Sequence, residues 1–288
     1  MACRTREGAD KAQETKKKGR KLPGLTVVIK GAGEMATGVA QRLYMANIRH
    51  IVMTEISHPI TVRRAVAFSE VVYKGRMTVE GVEAEHVSSI EEVYGTWQRG
   101  KIAVIVDPEW QAVEILRPDV VVDVIMAKRN LGTRKDEAPL VIGVGPGFTA
   151  PSDVHFVVES NRGHYLGRVI PEGSAESHTG IPGPTLGYTT ERVLRSPHEG
   201  IVRHVKKLGD SVIKGETVLY VGETPIYAPI DGMLRGLIRE IEVPSNEKIG
   251  DIDPRNEKDY VDTITEKARA IGGGVLEAIL RVYNVESI

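Results

Sequence analysis

Residues 25–30 (LTVVIK) form a β-branched apolar run, the pattern of a strand buried on both faces. The run stops at Gly31-Ala32-Gly33. Positions 34–46 then place Met35, Val39, Leu43 and Tyr44 at helical spacing. The alternation continues with a strand at 50–55, a helix over 61–72, a strand at 82–87 and a helix near 88–94 capped by Ser88 or Ser89. A strand at 102–107, a helix opened by Pro108, and strands at 120–125 and 140–142 follow. This order predicts an α/β fold: a Rossmann-like, doubly wound parallel sheet over residues 25–160. Ligands are then expected just beyond the carboxyl ends of the strands.

After residue 160 the pattern changes to short strands with glycine turns. Pro197, Gly200 and Arg203 recur as Pro229, Gly232 and Arg235 at one constant offset. Two such halves resemble the sandwich of biotinyl and lipoyl carrier domains, so residues 161–288 are expected to be a β-rich, barrel-sandwich-like domain with C-terminal helices. The hairpin Val221-Gly222-Glu223-Thr224-Pro225 has no lysine, so no biotin or lipoate is expected. The helices are expected at 263–270 and 274–283, with Gly272-Gly273-Gly274 as a turn or an anion-facing loop.

Charge changes the picture at one end. Residues 1–22 carry eight Lys/Arg against three Asp/Glu, in a chain of formal net charge −1. With almost nothing apolar to bury, residues 1–24 are expected to be a disordered basic tail. The near-neutral total gives no field that favours nucleic acid or membrane, and no apolar run is long enough to span a bilayer. The single cysteine, Cys3, excludes an internal disulfide and fits a cytoplasmic setting. The histidines are scattered, and no metal site is expected.

Gly31-Ala32-Gly33-Glu34-Met35-Ala36 fits G-x-G-x-x-[GA] between a strand and a helix. This is a turn whose amides can hold a diphosphate. Glu55, at the end of the second strand, is placed to accept ribose hydroxyls, which favours an NAD-like dinucleotide or another nucleotide as cofactor. Glu34 puts a carboxylate near the expected phosphates. Arg63 and Arg64 read either as a solvated face or as phosphate ligands. Asp107 reads as a helix cap or a catalytic group. Asp123 calls for a partner such as Lys128 or Arg129. Gly143-Val144-Gly145-Pro146-Gly147 reads as a plain turn or a second anion loop through Gly145 and Gly147. Asn161, Arg162 and His164 form a polar cluster in which Arg162 suits an anion and His164 a proton. No G-x-S-x-G, H-E-x-x-H or Walker lysine loop is present.

IKGAGEMATGVAQRLY (29–44), TEISHPITVRRAVAFSEVVY (54–73), VVDVIMAKRN (121–130), IGVGPGFTAPSDVHFVVESNRGHYLGRVI (142–170), TGIPG (179–183), KIGDIDPR (248–255) and AIGGGVLEAIL (270–280) resemble the YqeB family. That resemblance implies a cytoplasmic accessory factor in maturation of a selenium-dependent molybdenum hydroxylase. It would handle the molybdenum cofactor as a transient ligand, with hydroxylase subunits or other maturation factors, and further copies of itself, as partners. An NAD-dependent oxidoreductase and a non-catalytic scaffold are the other functions to weigh.

Overall fold

The computed structural model describes residues 22–284. The expected tail lies outside the described residues up to position 21. Its last three positions, Leu22–Gly24, form a 3-10 turn, with Leu22 packed against the core.

The body is a nine-stranded mixed sheet. Its strands are β1 (Thr26–Lys30), β2 (His50–Glu55), β3 (Arg76–Val79), β4 (Val82–Val87), β5 (Ile102–Val106), β6 (Val120–Asp123), β7 (Leu140–Val144), β9 (Phe156–Val158) and β10 (Val169–Ile170). β8 (Thr149–Ala150) and β11 (Gly173–Ser174) pair separately. The spatial order is β10-β9-β7-β6-β1-β2-β5-β4-β3. The central strands run parallel, and both edges, β3 and β10, are antiparallel to their neighbours.

The expected Rossmann-like doubly wound parallel sheet is corrected. The sheet is mixed, with antiparallel strands at both edges, and the crossovers from β6 to β7 and from β7 to β9 carry no α-helix. Among described residues before 160, only α1 (Glu34–Met45), α2 (Ile90–Gln98) and α3 (Gln111–Leu116) exceed one turn. The helix expected over 61–72 is two 3-10 turns, Arg64–Val66 and Phe68–Glu70, followed by a single α-turn, Val71–Lys74. The reason is tertiary: Arg63 donates to the carbonyls of Tyr260 and Thr263, and Arg64 to that of Leu237. Those bonds hold the segment to the far half of the chain and override its helical spacing.

β1 shows why the sheet is buried on both sides. Val27 and Ile29 face one apolar core, Val28 the other, and all three are fully buried. Burial of each is worth about 1.5–3 kcal/mol. The first core is closed by α1 and by the C-terminal helix α4 (Glu266–Tyr283), whose Ala268, Ile271, Val275, Ala278 and Ile279 all enter it. The boundary expected at residue 160 therefore does not separate the cores. The two expected C-terminal helices are one, and its glycines are neither turn nor loop. Gly272 and Gly274 lie inside α4, where a Cβ would meet the Gly38 oxygen at 2.8 Å and the Gly167 oxygen at 2.2 Å. Glycine in a helix costs about 1 kcal/mol against alanine, and here close packing offsets it.

The remaining strands are β12 (Val193–Arg195), β13 (Gly200–His204), β14 (Ser211–Val212), β15 (Thr217–Val221), β16 (Thr224–Tyr227), β17 (Gly232–Leu237), β18 (Glu242–Val243) and β19 (Lys248–Asp253). They form two antiparallel sheets, β12-β19-β17-β14 and β16-β15-β13-β18, over a third core. The expected β-rich, barrel-sandwich-like domain is corrected as well, because these sheets are packed onto the first half. β17 is docked on the first half: Leu237 N–H donates to the Val62 carbonyl, and a Cβ on Gly236 would lie 2.6 Å from Val62. Arg239 forks onto the buried Glu70 carboxylate across the same contact. Among the described residues, no helix is long and apolar enough to cross a membrane.

Candidate functional site

The glycine turn after β1 is built by backbone bonds. Gly31 has φ +92°, a value that favours glycine, and donates to the Thr54 carbonyl on β2. The Ala32 carbonyl accepts from Thr37 Oγ1 and from Ser69 N–H, and Thr37 Oγ1 accepts from Phe68 N–H. Ala36 is fully buried against the sheet. Gly33 is the N-cap of α1, with no side-chain cap and open space where its Cβ would be.

Glu55 does not stand free to meet a ribose. Its Oε2 accepts from Ala32 N–H at 3.0 Å and its Oε1 from Ile56 N–H at 2.9 Å. Burial pushes its carboxyl above the ordinary carboxylate value, against the pull of those two amides. An amide of the turn is thus already spent on a carboxylate, and Glu34 stands one residue past the N-cap. Two acids flank the position where a dinucleotide diphosphate was expected. The expectation of an NAD-like dinucleotide is corrected on this geometry.

A cleft of about 640 Å³ opens at the carboxyl ends of β1, β2, β5 and β6. Gly31, Gly33, Glu34, Met35, Thr54 and Glu55 line its base; Ile56, Trp110, Val124 and Met126 are among its apolar walls. Lys248, on β19, reaches it from the second half. Two buried polar atoms on its lining, Glu34 Oε1 and Thr54 Oγ1, have no hydrogen-bond partner.

Behind Lys248 sits a buried ionic cluster. Asp251, 1% exposed, receives Arg192 at 2.6 Å and Arg235 at 2.6 Å, with Lys248 at 3.6 Å. Arg235 also bridges to Asp253 at 2.8 Å. Burial pushes the Asp251 carboxyl up, but Lys248, Arg235 and Arg192 together hold it below the usual range. Burial pushes Lys248 down from the ordinary lysine value. Arg63 Nε faces Glu34 Oε1 at 3.7 Å, so the cluster extends to the start of α1.

A second buried cation supports the apolar wall. Lys30, fully buried, donates to Thr133 Oγ1 at 2.8 Å, bridges to Glu137 at 2.7 Å and lies 3.9 Å from the Trp110 ring centroid. Thr133 Oγ1 in turn donates a hydrogen bond to Asp123 at 2.6 Å. Asp123 is therefore satisfied by Thr133 and by the Ile125 N–H at 3.1 Å, with Lys30 acting through Thr133. The expected partners Lys128 and Arg129 are exposed. Trp110 sits at φ +57°, ψ 35°, a left-handed conformation costly for a bulky residue.

The other expected site residues scatter. Asp107 lines the cleft, but both its oxygens accept first-turn amides of α3, from Gln111 and Ala112. It holds a helix start, and the catalytic reading is corrected. Gly145 and Gly147 are packing positions: a Cβ would lie 2.5 Å from Ser160 Oγ and 2.7 Å from the Arg129 backbone, and Gly145 N–H donates to the Val158 carbonyl. Arg63 and Arg64 are tied to carbonyls and are neither solvated nor phosphate ligands. Asn161 bonds Glu176, and Arg162 bridges to Glu266. His164 is exposed, edge-on to Tyr165, and outside the cleft lining. Among the described residues, no group of three or more His, Cys, Asp or Glu is arranged to hold a metal ion.

Sequence reasoning missed Thr54, Trp110, Lys248, Arg192, Arg235 and Asp251. A usable signal was present in two places. Thr54 interrupts the apolar run of β2 beside Glu55, and Asp251 and Asp253 alternate with the apolar Ile252 between them.

No protein-family model matches the chain. It is 50% identical over 259 residues, 90% of its length, to the YqeB protein of Escherichia coli (strain K12). The chain spans about half of that relative, 48% of it. Solved structures resemble it loosely. An aspartoacylase family protein of Mesorhizobium loti is 11% identical over 80% of this chain and 85% of that one, with a TM-score of 0.27. The protein named TcdA (CsdL) is 11% identical over 92% and 90%, with a TM-score of 0.34. A succinylglutamate desuccinylase/aspartoacylase of Rhodobacter sphaeroides covers 47% of this chain and 58% of that one, at 15% identity and a TM-score of 0.23.

Proposed function

The chain belongs to the YqeB family, and from that premise we propose that it is an accessory protein that binds a nucleotide-like small molecule in the cleft beyond β1, β2, β5 and β6. The observation that carries this reading is the cleft's construction. About 640 Å³ is walled mainly by apolar side chains, with a few inward polar groups, two of them buried without a partner. Such concave, largely apolar sites with few convergent polar groups are the usual form of small-molecule sites. Unpartnered buried polar atoms are uncommon in proteins and are expected to be met by a ligand or water.

The place of that ligand in the cell is proposed from the sequence resemblance alone. The role is that of a cytoplasmic factor in maturing a selenium-dependent molybdenum hydroxylase, with the molybdenum cofactor or a nucleotide as transient cargo and hydroxylase subunits as partners. Lys248 is the cation on the lining that would meet an anionic part of such cargo.

Trp110 reports on the cleft, whereas Trp97 is bonded to the Ile51 carbonyl and stacked on His50. The test is a fluorescence titration of the full chain carrying Trp97→Phe with CTP, GTP, ATP and molybdopterin. Saturable quenching by one of them is expected, and its loss in Lys248→Glu or Gly33→Trp locates the site. Flat titrations with all four contradict the reading and leave a non-catalytic scaffold.

A further inference from the structure

The charged side chains on the cleft lining are unbalanced: Glu34, Glu55 and Asp107 stand against Lys248 alone. Glu34 Oε1 is buried with no hydrogen-bond partner, its ion-pair partner Arg63 Nε standing 3.7 Å away, and Glu34 lines the cleft. Thr54 is 1% exposed, and its Oγ1 lines the cleft with no partner either. Each Glu55 oxygen accepts one backbone N–H, and a carboxylate offers about four lone-pair sites, so acceptor capacity is left over. The one cation on the lining, Lys248, is drawn toward Asp251 in the cluster behind it. Arg63 has both terminal nitrogens committed to Tyr260 and Thr263, and its Nε stands 3.7 Å from Glu34 Oε1, beyond hydrogen-bond distance.

A ligand that satisfies this lining must bring donors. The lining offers two carboxylates and no further His, Cys or Asp/Glu with free oxygens, since Asp107 is spent on α3. No metal-holding group exists among the described residues. The donors therefore come from an organic ligand. Its body must suit walls of Trp110, Met126, Ile56 and Val124, which favour a flat, weakly polar ring. Paired N–H donors on one edge match a carboxylate's two oxygens in the way a guanidinium fork does.

Resting on the ligand-binding reading above, we infer that the cleft takes a guanine-type heterocycle. The ring N–H and adjacent exocyclic amine face Glu34, Thr54 and Glu55, and the ring body lies on the apolar wall at Trp110. Guanine and pterin rings share that edge. Adenine lacks the ring N–H, and hypoxanthine lacks the amine. A site built around unpaired acceptors rejects an analogue without the donor far more strongly than an apolar pocket rejects a size change. Phosphates contribute little, because Glu34 and Glu55 flank the turn on which they would sit.

The experiment is a competition titration on the full chain with guanosine, inosine, adenosine, guanosine monophosphate and free pterin. Guanosine is expected to bind at least about tenfold tighter than inosine and adenosine, and adding the monophosphate to change affinity less than about threefold. Pterin against guanosine separates the two sources of the edge. Glu34→Gln and Glu55→Gln are each expected to erase the preference for guanosine over inosine. Thr54→Val removes a buried orphan hydroxyl at nearly constant shape. It is expected to leave the melting temperature equal or higher while weakening guanosine severalfold. Equal affinity for guanosine and adenosine, or Thr54→Val binding like wild type, overturns the inference while the cleft remains a ligand site. Failure of every compound, together with flat titrations of the larger panel, overturns both.

Discussion

A methyl group placed on Gly38 would lie 2.7 Å from the methyl of Ala268, so α1 and α4 touch backbone to backbone across that pair. The contact joins residues far apart in sequence and seals the first core with the chain's last helix. Gly38→Ala is expected to cost about 1–3 kcal/mol, the usual range for overpacking. Ala268→Gly in the same chain is expected to recover part of that loss. Urea unfolding midpoints of the two single variants and the double variant check it. A neutral Gly38→Ala would mean the helices are not packed this way.

Asp251 holds Arg192, Arg235 and Lys248 together while almost wholly buried. Asp251→Asn would leave three cations without their shared anion, at a cost of about 3–5 kcal/mol. Its folded-state carboxyl lies below the unfolded value of 3.8. The folded state therefore binds fewer protons than the unfolded state in that window. The stabilisation is fully present above 3.8 and is lost as pH falls through the lowered value. Acid unfolding is expected to begin at higher pH in Asp251→Asn, read by circular dichroism against pH.

Glu55 has the opposite sign. Burial raises its carboxyl above 4.5 in the fold, so the folded state keeps a proton the unfolded state has released. Its contribution to stability is greatest below 4.5 and declines as pH rises through the raised value. Glu55→Gln is expected to flatten that part of the pH–stability curve, measured as melting temperature across the mildly acidic range.

Lys30 is the pillar under Trp110. Lys30→Met removes the cation and leaves Glu137 buried at 8% exposure without its partner. The expected loss is about 3–5 kcal/mol, with much of it restored by adding Glu137→Gln, as breaking a buried pair from one side costs more than removing both. Trp110 emission is expected to shift to the red as the ring gains water. Unchanged emission in the double variant would show that Lys30 does not set the ring.

The chain's local grammar was readable where a segment's neighbours are local. The apolar run of β1, the turn fixed by Gly31 and the start of α1 at Glu34 follow from spacing and from glycine's conformational range. What spacing could not carry is tertiary. Arg63 and Arg64 bond carbonyls some 170 or more residues away, so residues 61–72 follow those partners and abandon a helix. Gly272 and Gly274 look like a break until α1 and Gly167 are seen pressing on them. The site was half legible. Gly31, Gly33, Glu34 and Glu55 do meet at one cleft, but the use of Glu55 on Ala32 N–H depends on the side chain's fold-back. Lys248 joins them only because β19 docks against the first half, a long-range event that no motif records.

Backbone and indole NMR shifts during a guanosine titration of the full chain test the central claim most directly. The account expects the amides of Ala32, Gly33, Glu34, Thr54 and Glu55 and the Trp110 indole to move together to one saturating endpoint, with Trp97 still. Saturation accompanied by shifts confined to residues away from this cleft, or by none at Trp110 and Thr54, would contradict it.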